Sequence, residues 1–147
     1  MILHAFTDGA SRGNPGESGI GIIVRDGSNE VLFSLNGYIG TATNNVAEYT
    51  ALLTLLRRIA SHSCTRLIVH SDSELMVRQV NGQYKVKDPG LRKYHQQVVA
   101  AISGLPFTVE LRHIPREQNR EADKLANLGI DTRTEIVVRD PEAIGPQ

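Results

Sequence analysis

Apolar positions alternate with polar ones near the N-terminus and then fall into helical stripes. Ile2 to Thr7 reads as a strand that Asp8-Gly9 ends. Gly9, Gly13, Pro15 and Gly16 then predict a sharp loop. Ser18 to Arg25 predicts a second strand, Asp26-Gly27 a hairpin turn, and Glu30 to Tyr38 a third strand with Val31, Phe33 and Leu35 on one face. Three antiparallel strands in a meander are the simplest arrangement. The clearest helix follows, capped by Thr43 or Asn44; Leu52, Leu55 and Ile59 repeat at helical spacing from Glu48. Glu48 therefore shares the apolar face, where a carboxylate is costly unless a cation compensates it.

Arg66 to His70 predicts a short buried strand ended by Ser71-Asp72. The helix before it makes a crossover, so this strand should run parallel to one of the first three. Ser73 caps a short helix over Glu74–Val80, stopped by Asn81-Gly82. Pro89 suits the first turn of a helix to about Ile102. Thr108 to Leu111 is the last strand, Pro115 to Asn119 a loop, and Glu121 to Leu128 the last helix, ended by Gly129. The order βββ-α-β-α-α-β-α predicts an α/β fold: a mixed five-stranded sheet, three strands antiparallel and two parallel, flanked by helices. Residues 1–130 form one domain in this reading, and 131–147, with Pro141 and Pro146, a tail or linker.

The 147 residues suffice for one core, and 40% apolar with 22% charged residues is ordinary for a globular domain. No apolar run approaches a membrane span, and MILHAFTDGA lacks a basic region followed by an apolar core, so no leader and no membrane partner are expected. The single cysteine, Cys64, excludes an internal disulfide and fits a reducing, cytoplasmic setting. The net charge of +0 counts mildly against a nucleic-acid partner, although the placement of Lys and Arg matters more than their sum.

Four acids stand in contexts that bring them together: Asp8 after the first strand, Asp72 after the fourth, Glu48 on the crossover helix and Asp123 on the last helix. Sites in sheets with parallel strands gather at the strands' carboxyl ends. Carboxylates so close repel one another, and a hard divalent cation reverses that cost. Paired ions held this way serve phosphodiester cleavage. Taken singly, each acid also has an ordinary role, as a turn residue, a helix N-terminal charge or a solvated side chain. The glycine-rich loop is no dinucleotide fingerprint, because a strand follows it, and no P-loop, because no Gly-Lys-Ser/Thr closes it.

FTDGASRGNPGESGIG, TNNVAEYTALL, SDSELMVRQVNGQYKVK and HIPREQNREADKLAN together resemble type 1 ribonuclease H, in the family's order and over nearly all of 1–129. The resemblance implies the ribonuclease H-like fold. It also implies two-metal-ion hydrolysis of the RNA strand in RNA/DNA hybrids, leaving 3′-hydroxyl and 5′-phosphate ends. Asp8, Glu48, Asp72 and Asp123 match the family's metal ligands, for two Mg²⁺ or Mn²⁺ ions. Gly9, Ala10, Ser11 and Asn14 fall where the first loop meets substrate. Thr43, Asn44 and Asn45 match contacts to phosphate, base edges and ribose, and Glu74 lies near a further contact position. Asn amides can read the 2′-hydroxyl. Double-stranded RNA stands as a second possible substrate. A monomer is expected, with fusion to further domains in relatives.

Two departures bear on this resemblance. Only NGQYKVKDPG lies where many bacterial relatives carry a basic protrusion, as in the short archaeal-like branch; Lys85, Lys87, Arg92 and Lys93 offer either a smaller basic surface or a solvated helix start. The family's assisting histidine before the last acid has two candidates here. His113 precedes Asp123 by ten positions but sits at a strand end, and Arg116 lies on the loop, where in relatives with a short PRE loop an arginine stands in. Arg116 is slightly favoured; it would act through fixed charge on phosphate. Two rivals remain: a non-catalytic module that binds hybrid or RNA, and a nuclease of the same fold acting on DNA.

Overall fold

The computed structural model describes residues 1–139. Strand β1 (Ile2–Gly13) does not stop at Asp8. It pairs antiparallel with β2 (Gly16–Arg25) from His4–Arg25 to Gly13–Gly16, so the expected glycine-rich loop is mostly strand and the turn is Asn14-Pro15. The turn to β3 (Val31–Ala42) also differs from a two-residue Asp-Gly hairpin. Asp26 Oδ1 accepts the N–H groups of Ser28 at 2.8 Å and Glu30 at 3.0 Å, and Asn29, not Gly27, takes the left-handed conformation at φ 66°. An asparagine adopts that region readily and so spares the turn a glycine.

Helix α1 (Asn44–Ile59) is capped by Thr43, whose hydroxyl accepts the Val46 N–H at 3.2 Å. Strand β4 (Arg66–Ser71) lies parallel to β1, as the crossover requires. Helix α2 (Glu74–Val80) starts at its Ser73 cap, and α3 (Pro89–Ser103) at Asp88 with Pro89 in its first turn. Strand β5 (Thr108–His113) runs parallel to β4, and a single 3-10 turn, Arg116–Gln118, leads into α4 (Arg120–Thr132).

The five expected strands are present, and a sixth, β6 (Val137–Arg139), adds antiparallel to β3, giving the order β5-β4-β1-β2-β3-β6. Part of the expected tail therefore belongs to the folded unit: residues 131–132 end α4 and 137–139 extend the sheet. The rest of that tail, 140–147 with Pro141 and Pro146, lies outside the described residues.

Side chains on adjacent positions of β2 point to opposite faces. Ile20, Ile22 and Val24 join Leu3, Ala5, Leu35, Leu67 and Val69 under α1, where Leu52, Leu55 and Ile59 are fully buried. The other face carries α4. A Cβ on Gly21 would lie 2.1 Å from the Ala122 carbonyl oxygen, and one on Gly129 2.3 Å from the Gly37 carbonyl oxygen. Helix α4 thus rests backbone on backbone. Gly129 does not end the helix as the sequence suggested; it is a seat within it, and the helix ends at Arg133 in the left-handed conformation, φ 49°.

Candidate active site

The parallel register ends with Thr7 beside Ser71, which brings the next residues, Asp8 and Asp72, side by side. β1 continues, while the chain after Ser71 leaves the sheet toward the Ser73 cap, with Ser71 Oγ accepting the Ser73 N–H at 3.1 Å. Asp8 is buried in mid-sheet, opposite Gly21. Glu48, buried on α1, reaches the same point because α1 lies directly against Gly9: a Cβ there would sit 2.2 Å from the Ala47 carbonyl carbon. The Gly9 N–H donates to Glu48 Oε1 at 2.7 Å. One carboxylate oxygen from each of Asp8, Glu48 and Asp72 lies within 4.8 Å of the others. Asp123, in the first turn of α4, lines the same open cleft of about 390 Å³ without joining that tight group.

The electrostatics are those of a cation site. Burial, then the charges of Glu48 and Asp72, then a side-chain hydrogen bond to Asp123 and its charge, push the Asp8 carboxyl up to about 9. Burial, then Asp72, push Glu48 up to about 8, against the Gly9 N–H, which favours the charged form. Among the described residues, no Lys or Arg forms an ion pair with any of the four acids. Hard oxygen donors, two of them buried, mutually repelling and not ion-paired to any Lys or Arg, fit a divalent cation of the Mg²⁺ or Mn²⁺ kind.

The other expected residues divide. Gly9, Ala10, Ser11 and Asn44 line the acid cleft. Asn14, Thr43 and Asn45 line a neighbouring pocket of about 250 Å³, joined to the cleft where Asn14 Oδ1 accepts the Asn44 N–H at 3.1 Å. Ser11 Oγ donates to the Ala42 carbonyl at 2.8 Å and ties the hairpin to β3. Glu74 lies outside the cleft lining, 3.7 Å from Arg78 and 3.8 Å from His113 Nδ1. Arg116 lines the cleft; His113, at the end of β5, does not. Between α2 and α3 there is only the connection 81–88, where Arg78 lies over the exposed Tyr84 ring at 5.3 Å and Lys85, Lys87 and Arg92 line a groove of about 440 Å³.

Three residues were not singled out by sequence reasoning. Arg12 and Asn127 line the cleft. Asn119 is buried and donates Nδ2 to the Thr7 carbonyl at 2.8 Å, pinning the start of α4 beside Asp8. Arg12 stands two and four positions beyond Ala10 and Asp8, a period-two signal readable only once the loop is known to be strand.

Comparison with known proteins agrees with this geometry. Residues 6–129 match the family described as reverse transcriptase-like. Ribonuclease HI of Halobacterium salinarum is 36% identical over 88% of this chain, which spans 64% of that protein. The bifunctional protein Rv2228c of Mycobacterium tuberculosis is 38% identical over 97% of this chain, which spans 38% of it. The crystal structure of the Halobacterium RNase H1 covers 90% of this chain and 99% of its own at TM-score 0.85 and 35% identity. That of LC11-RNase H1, in complex with an RNA/DNA hybrid, covers 88% and 97% at TM-score 0.84 and 39% identity. The architecture is the ribonuclease H-like α/β fold. The chain belongs to the ribonuclease H family.

Proposed function

We propose that this chain is a metal-dependent endoribonuclease that hydrolyses the RNA strand of RNA/DNA hybrids and leaves 3′-hydroxyl and 5′-phosphate ends. The observation that carries the reading is the convergence of Asp8, Glu48 and Asp72 on one point with Asp123 in the same cleft. The likeness to LC11-RNase H1, solved with a hybrid, supports the substrate. Asp8, Glu48, Asp72 and Asp123 would hold two Mg²⁺ or Mn²⁺ ions. Such ions, when bound, activate water and stabilise the leaving 3′ oxygen of a phosphodiester.

The chain's own groups hold and orient. The Gly9 N–H keeps Glu48 turned into the cleft. The backbone of Gly9, Ala10 and Ser11 lies along the cleft wall, where the RNA strand would pass. Asn44, with Asn14, Thr43 and Asn45 beyond it, meets the minor groove, where amides read the 2′-hydroxyl. Arg116 places fixed positive charge against a phosphate oxygen. His113 is the alternative assistant from the end of β5. Glu74, paired with Arg78 and His113, touches substrate only beyond the cleft.

The proposal extends to a monomer acting in the cytoplasm. Its catalytic residues are proposed to lie within residues 1–130, although α4 and β6 carry the folded unit on to 139, with the rest of 131–147 a tail or linker. Double-stranded RNA is a possible secondary substrate. Among the described residues no helix is long and apolar enough to cross a membrane.

The test is cleavage of an end-labelled hybrid with Mg²⁺ or Mn²⁺, beside double-stranded RNA, double-stranded DNA and an EDTA control. Metal-dependent cuts confined to the RNA strand, lost in Asp72→Asn, are expected. A hybrid that is bound and never cut would replace the reading with a binding module, and cuts in DNA with a DNA-acting nuclease.

A further inference from the structure

Asp123 is the outlying member of the acid group. It sits half-buried on a helix and outside the tight carboxylate cluster; it meets Asp8 through a side-chain hydrogen bond as well as through charge, and Glu48 through charge alone. Its place on the cleft wall also depends on what holds it along its own helix.

The answer lies along one face of α4, where Asp123, Asn127 and Asp131 follow at intervals of one helical turn. Asp8, Ala10 and Arg12 alternate along the face of β1 that α4 covers. Arg12 Nη2 donates to Asn127 Oδ1 at 3.2 Å and pairs with Asp131 Oδ1 at 2.7 Å. Asn127 Nδ2 in turn donates to the Asp123 carbonyl at 3.0 Å and lies 3.4 Å from Asp123 Oδ1.

Donor chemistry decides the direction of this relay. A guanidinium has donors only, so Asn127 must turn its oxygen to Arg12. Its NH₂ group then faces Asp123. The reversed amide would set an oxygen against a carboxylate and an NH₂ against a guanidinium, two repulsive contacts in place of two attractive ones. Asp131 holds the guanidinium in place from the next turn.

We infer that Arg12 is a positioning residue for Asp123: acting through Asn127, it holds the fourth carboxylate on the cleft wall, facing the other three. The inference rests on the proposed ribonuclease reading for its consequence in catalysis. The hydrogen-bond relay itself stands independently of that reading.

The experiment is a double-mutant cycle on hybrid cleavage with Arg12→Gln, Asp123→Asn and the double variant, in Mn²⁺. Arg12→Gln is expected to lower kcat about tenfold with KM little changed, as for other groups that orient metal ligands. In the Asp123→Asn background the same change should have no further effect. Additive losses, or a raised KM with kcat intact, would overturn the inference, because Arg12 would then be a fold contact or a direct phosphate contact.

A readout without substrate accompanies the cycle. The ¹⁵N-labelled side-chain amide of Asn127 should move to the position of a solvent-exposed amide in Arg12→Gln and keep most of its wild-type shift in Arg12→Lys. An unchanged signal in Arg12→Gln overturns the relay. If the wild type cuts no hybrid, the ribonuclease reading fails while the amide signal still decides the relay. Should Arg12→Gln fail to fold, Arg12→Met, which removes the donors and keeps the apolar stem, enters the cycle, and additive losses there would equally overturn the inference.

Discussion

On one face of the sheet α1 meets Leu3, Ile20, Ile22 and Leu35 through interlocking side chains; on the other, α4 meets Gly21 and Gly37 through bare backbone. The first contact is a hydrophobic one. Leu52, Leu55 and Ile59 are each worth about 1.5–3 kcal/mol when fully buried, and a small change in volume can be absorbed. The second meets backbone first, with Leu125 Cβ the nearest side-chain atom to a Cβ on Gly21. It brings a helix closer to the sheet than side-chain packing allows, and the acid at its start, Asp123, owes its place in the cleft to that closeness. The two helices therefore differ along their length: α1 is cushioned by side chains at Leu52, Leu55 and Ile59 and meets bare backbone at Gly9, beside Glu48, whereas α4 is seated on backbone at both Gly21 and Gly37.

The sharpest way to break the comparison is to fill the seat. Gly21→Val puts atoms where the Ala122 carbonyl lies at 2.1 Å, and α4 must lift. The expected outcome is loss of several kcal/mol, beyond the ordinary range of about 1–3 kcal/mol for overpacking, with activity abolished in whatever protein still folds. Leu52→Ala on the cushioned face should cost about 2–5 kcal/mol and leave kcat near wild type. Urea unfolding and hybrid cleavage on the same samples check both. Equal activity in the two variants would refute the distinction.

A milder probe is the pin between α4 and β1. Asn119→Ala leaves the buried Thr7 carbonyl without its 2.8 Å partner, an expected cost of about 1–3 kcal/mol. The start of α4 should loosen, so the Mg²⁺ concentration for half-maximal activity should rise. A loss of stability without that rise would make Asn119 a fold residue alone.

The last probe concerns the acids where the two faces meet. Asp8 and Glu48 hold their protons far more tightly folded than unfolded, at about 9 and about 8. The metal-free folded state thus binds more protons than the unfolded chain between about pH 4 and those values. Its stability should fall as pH rises through that window, by on the order of 1 kcal/mol per pH unit for each proton released. Asp8→Asn should flatten the slope, and Mg²⁺ should offset it. Urea titrations across pH 5 to 9 measure this, and a stability that rises with pH in the metal-free wild type would refute it.

Much of the molecule was legible in the chain because the signals are local. Caps at Thr43 and Ser73, Pro89 in its first turn and the stripe from Glu48 to Ile59 each depend on residues within a turn or two. The convergence of Asp8, Glu48 and Asp72 was legible too, although Asp8 lies within β1 and not at its end as the sequence suggested. The parallel pairing of β1 with β4 followed from the crossover. What the chain by itself hid were the uses of its glycines. Gly9 and Gly129 look like turn or end signals and Gly21 like an ordinary strand residue, and only their distant neighbours reveal them as close-approach seats. The run of β1 past Asp8, and with it the alternation that aligns Arg12, depends on pairing with β2. The placing of Arg116 rather than His113 in the cleft depends on the 3-10 turn before α4. Asn119 meets Thr7, and Arg12 meets Asn127, across more than a hundred residues. No pattern within a window of sequence encodes such contacts, because they exist only once the sheet and both layers of helices have closed on one another.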